Sequence, residues 1–345
     1  MKTILFCMNP YSFGILEPIM QVLKEREYEY LWFVREEIAH KFPFKEEKFT
    51  SNIEDLIIFK SDAIFSPGNE VPHYLRGVKT QVFHGLAGEK KGHFRIRSYF
   101  DLYLTQGPYF TRWFSKAAQK HKNFKVKETG WPKLDIYGKE LYKYDADKNQ
   151  LLTEYKANKI ILFAPTFSPS LTCAPYLLEQ IRELSDNKEY VIVIKFHDLM
   201  RQDLIALYKE LANKVSNILF VEERNIIKYL LISDVMVSDT SSVVYEFLLL
   251  NKPVITFKNN SEICEWDNSL TYEGLVRKVN DNLQNDPYQD KRALIVKEYH
   301  PYQDGNSSKR MVNAVEEYIN EFGVPEKRIL PWLRRRKMNK MFGKY

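Results

Sequence analysis

The sequence predicts an α/β protein with two Rossmann-like domains facing a cleft. Three observations carry this. Short apolar runs alternate with amphipathic helical stretches, the rhythm of a parallel sheet covered on both faces. The rhythm breaks once, in a polar Lys/Asp-rich stretch over residues 142–159, and then restarts. The length of 345 residues suits two domains of roughly 100 to 200 residues each. The expected division is 1–145 for an N-terminal Rossmann-like domain and 155–325 for a C-terminal one. A basic amphipathic tail over 326–345 follows.

In the first half, residues 3–8 form an apolar strand, and 15–24 a helix broken or bent near Pro18. Strands are expected at 30–34, 63–66, 81–84 and 101–105, each followed by polar or helical sequence. In the second half, strands are expected at 160–164, 190–196, 218–221, 235–238 and 254–257. The run Tyr190-Val191-Ile192-Val193-Ile194-Lys195-Phe196 has the strongest β-branched signal. Helices at 177–185, 204–215, 226–231 and 241–250 fill the gaps. Residues 258–299 read only as a mostly helical connection. A last helix at 307–321 has the length to cross back and brace the first domain.

Composition narrows the class. The hydrophobic fraction of 44% and charged fraction of 28% describe a folded chain, not a disordered one. The three cysteines are odd in number and form no CxxC pair, so a reducing compartment is expected. No run approaches the ~18 apolar residues of a membrane span, and the first residues read as a buried strand instead of a signal segment. The net charge is +6, yet eight Lys/Arg and no acid lie from Lys327 onward. The rest of the chain is therefore slightly acidic. That argues against a nucleic-acid groove and for a local anionic partner.

Candidate chemistry sits at predicted strand ends, where open α/β sheets bind ligands. The strand at 235–238 runs into Asp239-Thr240-Ser241-Ser242 and then a helix. A helix start offers free N–H groups to phosphate, and Ser241 and Ser242 add hydroxyl donors. Glu246 follows Ser242 by one helical turn and can accept from a ribose hydroxyl. Ordinary N-capping explains the same residues equally well. His197 ends the 190–196 strand and can bond or protonate a phosphate oxygen, or simply cap a loop. Thr166 follows Pro165 at another strand end, as a phosphate donor or a turn residue. In the first half His84 closes a strand, followed by Gly85, Gly88 and Gly92. It can deprotonate an acceptor hydroxyl, or close the strand with no chemistry. Lys90, Lys91, Arg95 and Arg97 place positive charge around that turn, as an acceptor site or a solvated loop. The glycine spacing matches neither a dinucleotide fingerprint nor a P-loop. The seven histidines show no metal-ligand spacing, so no metal and no cofactor are expected.

Taken in order, several segments resemble the CDP-glycerol glycerophosphotransferase family of teichoic-acid and capsule synthesis. They are His84-Gly85, Gly130-Trp131-Pro132-Lys133-Leu134-Asp135, Ala164-Pro165-Thr166, Lys195-Phe196-His197, 233–242, Lys252-Pro253 and Asp304-Gly305-Asn306-Ser307-Ser308. The resemblance implies a GT-B-like fold in a bacterial cell-envelope enzyme. It implies transfer of an alditol phosphate, glycerol phosphate first, from a CDP-linked donor to a hydroxyl of a glycan, polymer or lipid-linked acceptor, with CMP released. It implies His84 and His197 as catalytic residues, with Asp239, Ser241 and Ser242 matching the family's donor-phosphate segment; Thr166, from its strand end, and Thr240, within that segment, are expected on the donor phosphates with them. Glu246 belongs to the nucleotide ribose, and Gly85, Lys90 and Arg95 to the acceptor side. Three positions depart from the family. Leu86-Ala87 stands where Thr-Pro is common, Thr240 where Tyr is usual, and Asp198 where Pro is common. These leave glycerol phosphate, ribitol phosphate and a sugar open as the transferred group. The alternatives are a GT-B glycosyltransferase, a nucleotide-sugar epimerase, or a scaffold with an inactive cleft. The tail interleaves Arg334, Arg335, Arg336, Lys337 and Lys340 with Trp332, Leu333, Met338, Met341 and Phe342. That pattern suits peripheral docking on the anionic inner face of the cell membrane, or a disordered basic tail.

Overall fold

The computed structural model describes every residue except 87, 89–91, 139, 224, 262 and 263. The chain forms two compact units. One holds Met1–Lys139 with Glu298–Tyr345, the other Glu140–Lys297.

The first unit opens with β1 (Lys2–Cys7), α1 (Ser12–Glu25) and β2 (Glu29–Val34). Then come β3 (Phe49–Thr50), α2 (Ile53–Phe59), β4 (Ala63–Ser66), β5 (Val78–Gln81), β6 (Leu102–Thr105), α3 (Pro108–His121) and β7 (Lys125–Glu128). The strands make one sheet in the order β3-β2-β1-β4-β5-β6-β7, with every pairing parallel. β4, β5 and β6 are buried throughout, as expected of strands covered on both faces. α1 runs through Pro18. A mid-helix proline costs about 3 kcal/mol. Burial of Ile15, Leu16, Ile19, Met20, Val22 and Leu23, at about 1.5–3 kcal/mol for each large side chain, outweighs it. β5 ends at Gln81, three residues before the expected strand end at His84, so Val82 and Phe83 are buried outside the sheet and His84 is exposed.

The second unit begins with α4 (Asp145–Tyr155), inside the stretch expected to be a linker. α4 buries none of its side chains, so it lacks the apolar stripe by which a helix is read. Next come β8 (Lys159–Phe163), α5 (Ala174–Leu184), β9 (Tyr190–Lys195), α6 (Gln202–Lys214) and β10 (Ile218–Val221). They are followed by α7 (Ile227–Ile232), β11 (Val235–Ser238), α8 (Val243–Leu248), β12 (Val254–Phe257), β13 (Asp267–Ser269) and α9 (Leu275–Gln284). The sheet order is β10-β9-β8-β11-β12-β13, again all parallel. Its core joins Phe163, Ile192, Ile194 and Val237 of the strands to Leu177, Ile181, Leu204 and Tyr208 of the helices.

After α10 (Gln289–Tyr299) the chain rejoins the first unit. There α11 (Ser307–Phe322) packs on α1 and on the turn at Pro132–Tyr137. α12 (Trp332–Phe342) buries Met338 and Phe342, and the Phe342 ring meets Phe6 of β1 edge-on at 5.8 Å. The tail is thus a docked helix, not a disordered segment.

Candidate functional site

Each sheet has one topological switch point, where the chain reverses its direction of growth. In the first unit it lies between β1 and β4, and in the second between β8 and β11. Loops at the carboxyl ends of such strand pairs form the binding crevice of an open α/β sheet.

In the first unit, three loops meet at this end: residues 8–11 after β1, 67–71 after β4 and 82–86 after β5. Phe83 has a positive φ of 65°, a strained conformation for a bulky residue. Its ring stays in the core against Tyr103 and Phe114. His84, beside it, is exposed. The His84 Nδ1 lies 2.9 Å from the Pro67 carbonyl oxygen. A carbonyl only accepts, so Nδ1 carries the proton and the ring lone pair is on Nε2. The ring also stacks on Tyr11, with centroids 5.1 Å apart. The Gly85 carbonyl accepts from Gln106 Nε2 at 3.0 Å, and among the described residues a side chain at Gly85 would meet nothing within 4 Å. Arg95 is exposed and its carbonyl accepts from Arg97. Lys90 lies outside the described residues.

In the second unit, Thr166, His197 and the segment from Asp239 to Ser242 follow β8, β9 and β11. His197 packs on Phe167, next to Thr166, at 4.5 Å between ring centroids. Its Nδ1 accepts from the Leu199 N–H at 3.1 Å. The neutral ring therefore carries its proton on Nε2, the tautomer opposite to that of His84. Burial lowers the His197 pKa from its ordinary value, with Asp198 opposing and Lys195 assisting.

Asp239 corrects the sequence expectation of a phosphate contact. The side chain is fully buried, and its two oxygens accept from the backbone N–H groups of Thr166 and Cys173 at 2.8 and 2.9 Å. It staples the loop after β8 to the end of β11. Burial pushes its carboxyl up to about 6, against the pull of those two donors. Thr240 Oγ1 accepts from the Asn260 N–H at 3.0 Å and ties in the loop after β12. α8 starts at Val243 and is six residues long, shorter than the expected helix. Ser242 at its N-cap makes no side-chain capping bond, so capping does not account for that serine. Glu246 is buried within α8.

Other singled-out residues hold the fold. Asp135 accepts from the N–H groups of Ser307 and Ser308 at 2.7 and 2.9 Å and from the Ser308 hydroxyl at 2.5 Å. It caps α11 from outside the helix. Gly130 has a φ of +86°, and a Cβ there would sit 2.4 Å from Ser307 Oγ. Lys252 Nζ donates to the carbonyls of Leu230, Leu231 and Ser233 and closes the end of α7. These partners are remote along the chain, so no local pattern points to them. A carboxylate or ammonium flanking a strand or helix end was the one available hint.

The model of the CDP-Glycerol:Poly(glycerophosphate) glycerophosphotransferase family matches residues 17–317. Among curated relatives, the teichoic acid ribitol-phosphate polymerase TarL of Staphylococcus aureus is 29% identical over 271 residues. That match covers 70% of this chain and 46% of TarL. The teichoic acid glycerol-phosphate primase of Bacillus subtilis is 27% identical over 241 residues, covering 66% of this chain and 60% of the primase. The chain thus spans about half the length of these relatives. The structure of the wall teichoic acid polymerase TagF matches with a TM-score of 0.66 at 19% identity, over 92% of this chain and 89% of that one. The UDP-GlcNAc 2-epimerase of Neisseria meningitidis matches at 0.65 and 15% identity, over 92% and 100%. These likenesses establish a GT-B-like α/β fold. The family model covers most of the sequence, with His84, Thr166, His197 and the segment from Asp239 to Ser242 inside the match, and the chain belongs to the CDP-glycerol:poly(glycerophosphate) glycerophosphotransferase family.

Proposed function

We propose that the protein transfers an alditol phosphate, glycerol phosphate first, from a CDP-alditol to a hydroxyl of a glycan, polymer or lipid-linked acceptor. The observation that carries this is the pair of opposite histidine tautomers at the two switch-point loops. His84 has its lone pair on Nε2, as a general base requires, and His197 has a proton on Nε2, as a phosphate donor requires.

The acceptor oxygen attacks the β-phosphorus while His84 Nε2 takes its proton. The bond from that phosphorus to the bridging oxygen breaks, and CMP leaves. His197 Nε2–H, Thr166, Ser241 and Ser242 bond the phosphate oxygens as charge moves onto the leaving CMP. Asp239 holds the loop that presents Thr166, and Thr240 holds the neighbouring loop. Glu246 accepts from the ribose, and Gly85, Lys90 and Arg95 serve the acceptor. Nucleotide release by purified protein from CDP-glycerol, CDP-ribitol and UDP-sugars tests this. CMP from a CDP-alditol is expected. UDP or an epimerised sugar as the sole product overturns it. His84→Ala should slow CMP release by about 10²–10⁴-fold, and near-normal turnover removes His84 from the mechanism.

We also propose that α12 docks on an anionic membrane surface at the inner face of the cell. Among the described residues, no helix is long and apolar enough to cross a membrane. α12 turns Met338 and Phe342 inward and leaves Trp332 and Leu333 exposed at 69% and 71%, beside Arg336 and Lys340. Large apolar groups mixed with cations are what a headgroup layer takes up. Removing the helix would uncover Phe6, so the test is the double substitution Trp332→Ser and Leu333→Ser in liposome flotation. Binding equal to that of the wild type refutes the role.

A further inference from the structure

We infer that Tyr11 is the positioning residue of the His84 base, acting through its ring and not its hydroxyl. The inference rests on His84 as the base proposed above. A side chain that removes a proton must hold one ring atom in line with the acceptor oxygen. His84 is exposed, and its Nδ1 bond to Pro67 fixes one ring atom but does not by itself set the ring plane. The Tyr11 ring lies against the imidazole with centroids 5.1 Å apart and planes 29° apart, which limits how that plane turns.

Tyr11 is placed for this. It ends the loop after β1, on the switch-point side of His84. Its backbone is set by a tight turn, in which the N–H groups of Ser12 and Phe13 bond the Asn9 and Pro10 carbonyls at 3.0 and 3.3 Å. Ser12 and Phe13 are buried and anchor that turn to the core. Tyr11 itself is 44% exposed, so its ring contributes little to the core. Its hydroxyl accepts from Asn9 Nδ2 at 3.1 Å. Burial raises the phenol pKa, opposed by the Asn9 bond, so the hydroxyl stays protonated and does not compete as a base. A stiff turn that carries an exposed aromatic against an exposed histidine serves orientation better than packing.

The test is CMP release by the full-length protein in a double-mutant cycle. Tyr11→Ala should lower kcat by about 10–100-fold with the donor KM unchanged, since misplacing a reacting group by about 1 Å costs up to ~10²-fold. Tyr11→Phe, which keeps the ring, should stay within about threefold of wild type, whereas Tyr11→Leu, with bulk but no aromatic plane, should behave like Tyr11→Ala. In a His84→Ala background, Tyr11→Ala should cost nothing further, because its effect passes through His84. Three results overturn the inference: Tyr11→Phe as slow as Tyr11→Ala, Tyr11→Leu as fast as wild type, or full additivity with His84→Ala. Full turnover by His84→Ala alone is a separate result that overturns the base assignment itself.

Discussion

Replacing Asp239 by Asn tests whether its carboxylate serves the backbone. The side chain is buried, with one oxygen on the Thr166 N–H and the other on the Cys173 N–H. Asn keeps the shape but has one accepting oxygen, so one buried N–H loses its partner at a cost of about 1–3 kcal/mol. A second effect has the opposite sign. Burial raises the Asp239 pKa from 3.8 to about 6 in the folded protein. A raised carboxyl contributes stability that is complete below 3.8 and is lost as pH rises through 6. The full loss is about 3 kcal/mol, of which about 2 kcal/mol falls between pH 4.5 and 7.5. Asn does not titrate and carries none of this. The stability of the wild type minus that of Asp239→Asn should therefore be about 2 kcal/mol more positive at pH 4.5 than at pH 7.5. Urea unfolding at both pH values measures it, followed by Trp266, the one tryptophan in the sequence of 140–297. A stability gap that is flat across that range, or wider at pH 7.5, refutes the reasoning. Asp239→Ala strips both N–H groups of a partner and should cost about 2–6 kcal/mol.

Three further outcomes are expected. His197→Ala should lower kcat about 10²–10³-fold, the usual effect of losing one aligned donor to developing charge; steady-state CMP release with unchanged unfolding checks it. Lys252→Met removes the ammonium that closes α7 and should destabilise the protein by about 1–3 kcal/mol in urea unfolding, while folded protein at low temperature retains its kcat. Asp135→Ala uncaps α11 and should cost about 1–2 kcal/mol, again with turnover intact in the folded fraction; a selective loss of kcat would instead place Asp135 at the substrate.

The sequence showed the fold where burial is one-sided in composition. β1, β4, β8, β9, β11 and β12 are apolar runs buried almost end to end, and each was legible. β7 and β13 lie at sheet edges and read Lys-Val-Lys-Glu and Asp-Asn-Ser, which carry no apolar run to find. β3 is two residues long. The return of the chain to the first unit was hidden for another reason. The apolar stripe of α11 says that it packs, not on which unit. Its address is written in polar contacts remote in sequence, such as Asp135 on Ser307 and the Arg328 guanidinium on Asp101. The strand-end rule places His84, His197, Thr166 and the Asp239 segment after strands, and the structure has them in the loops that follow β5, β9, β8 and β11. It says nothing of Tyr11, because only the sheet order reveals that β1 borders the switch point.

That pattern separates two kinds of residue within the segments that carry the family resemblance. A charge taken out of water must be paired or hydrogen-bonded, or it costs several kcal/mol. Asp135, Asp239 and Lys252 meet that demand with backbone groups of distant segments, and so they hold the loops in place. Such residues report the fold, and they would be the same whichever alditol is transferred. Thr240 is spent in the same way on Asn260, so its difference from the usual Tyr alters how the loop after β12 is held. On the proposed function, donor choice would fall to Ser241 and Ser242, with the His197 Nε2–H beside Thr166. Substituting Thr240→Tyr offers a direct trial. If the loop sets the donor, the ratio of CMP released from CDP-glycerol to that from CDP-ribitol should shift. An unchanged ratio with unchanged kcat would leave donor choice to the serines and the histidine alone.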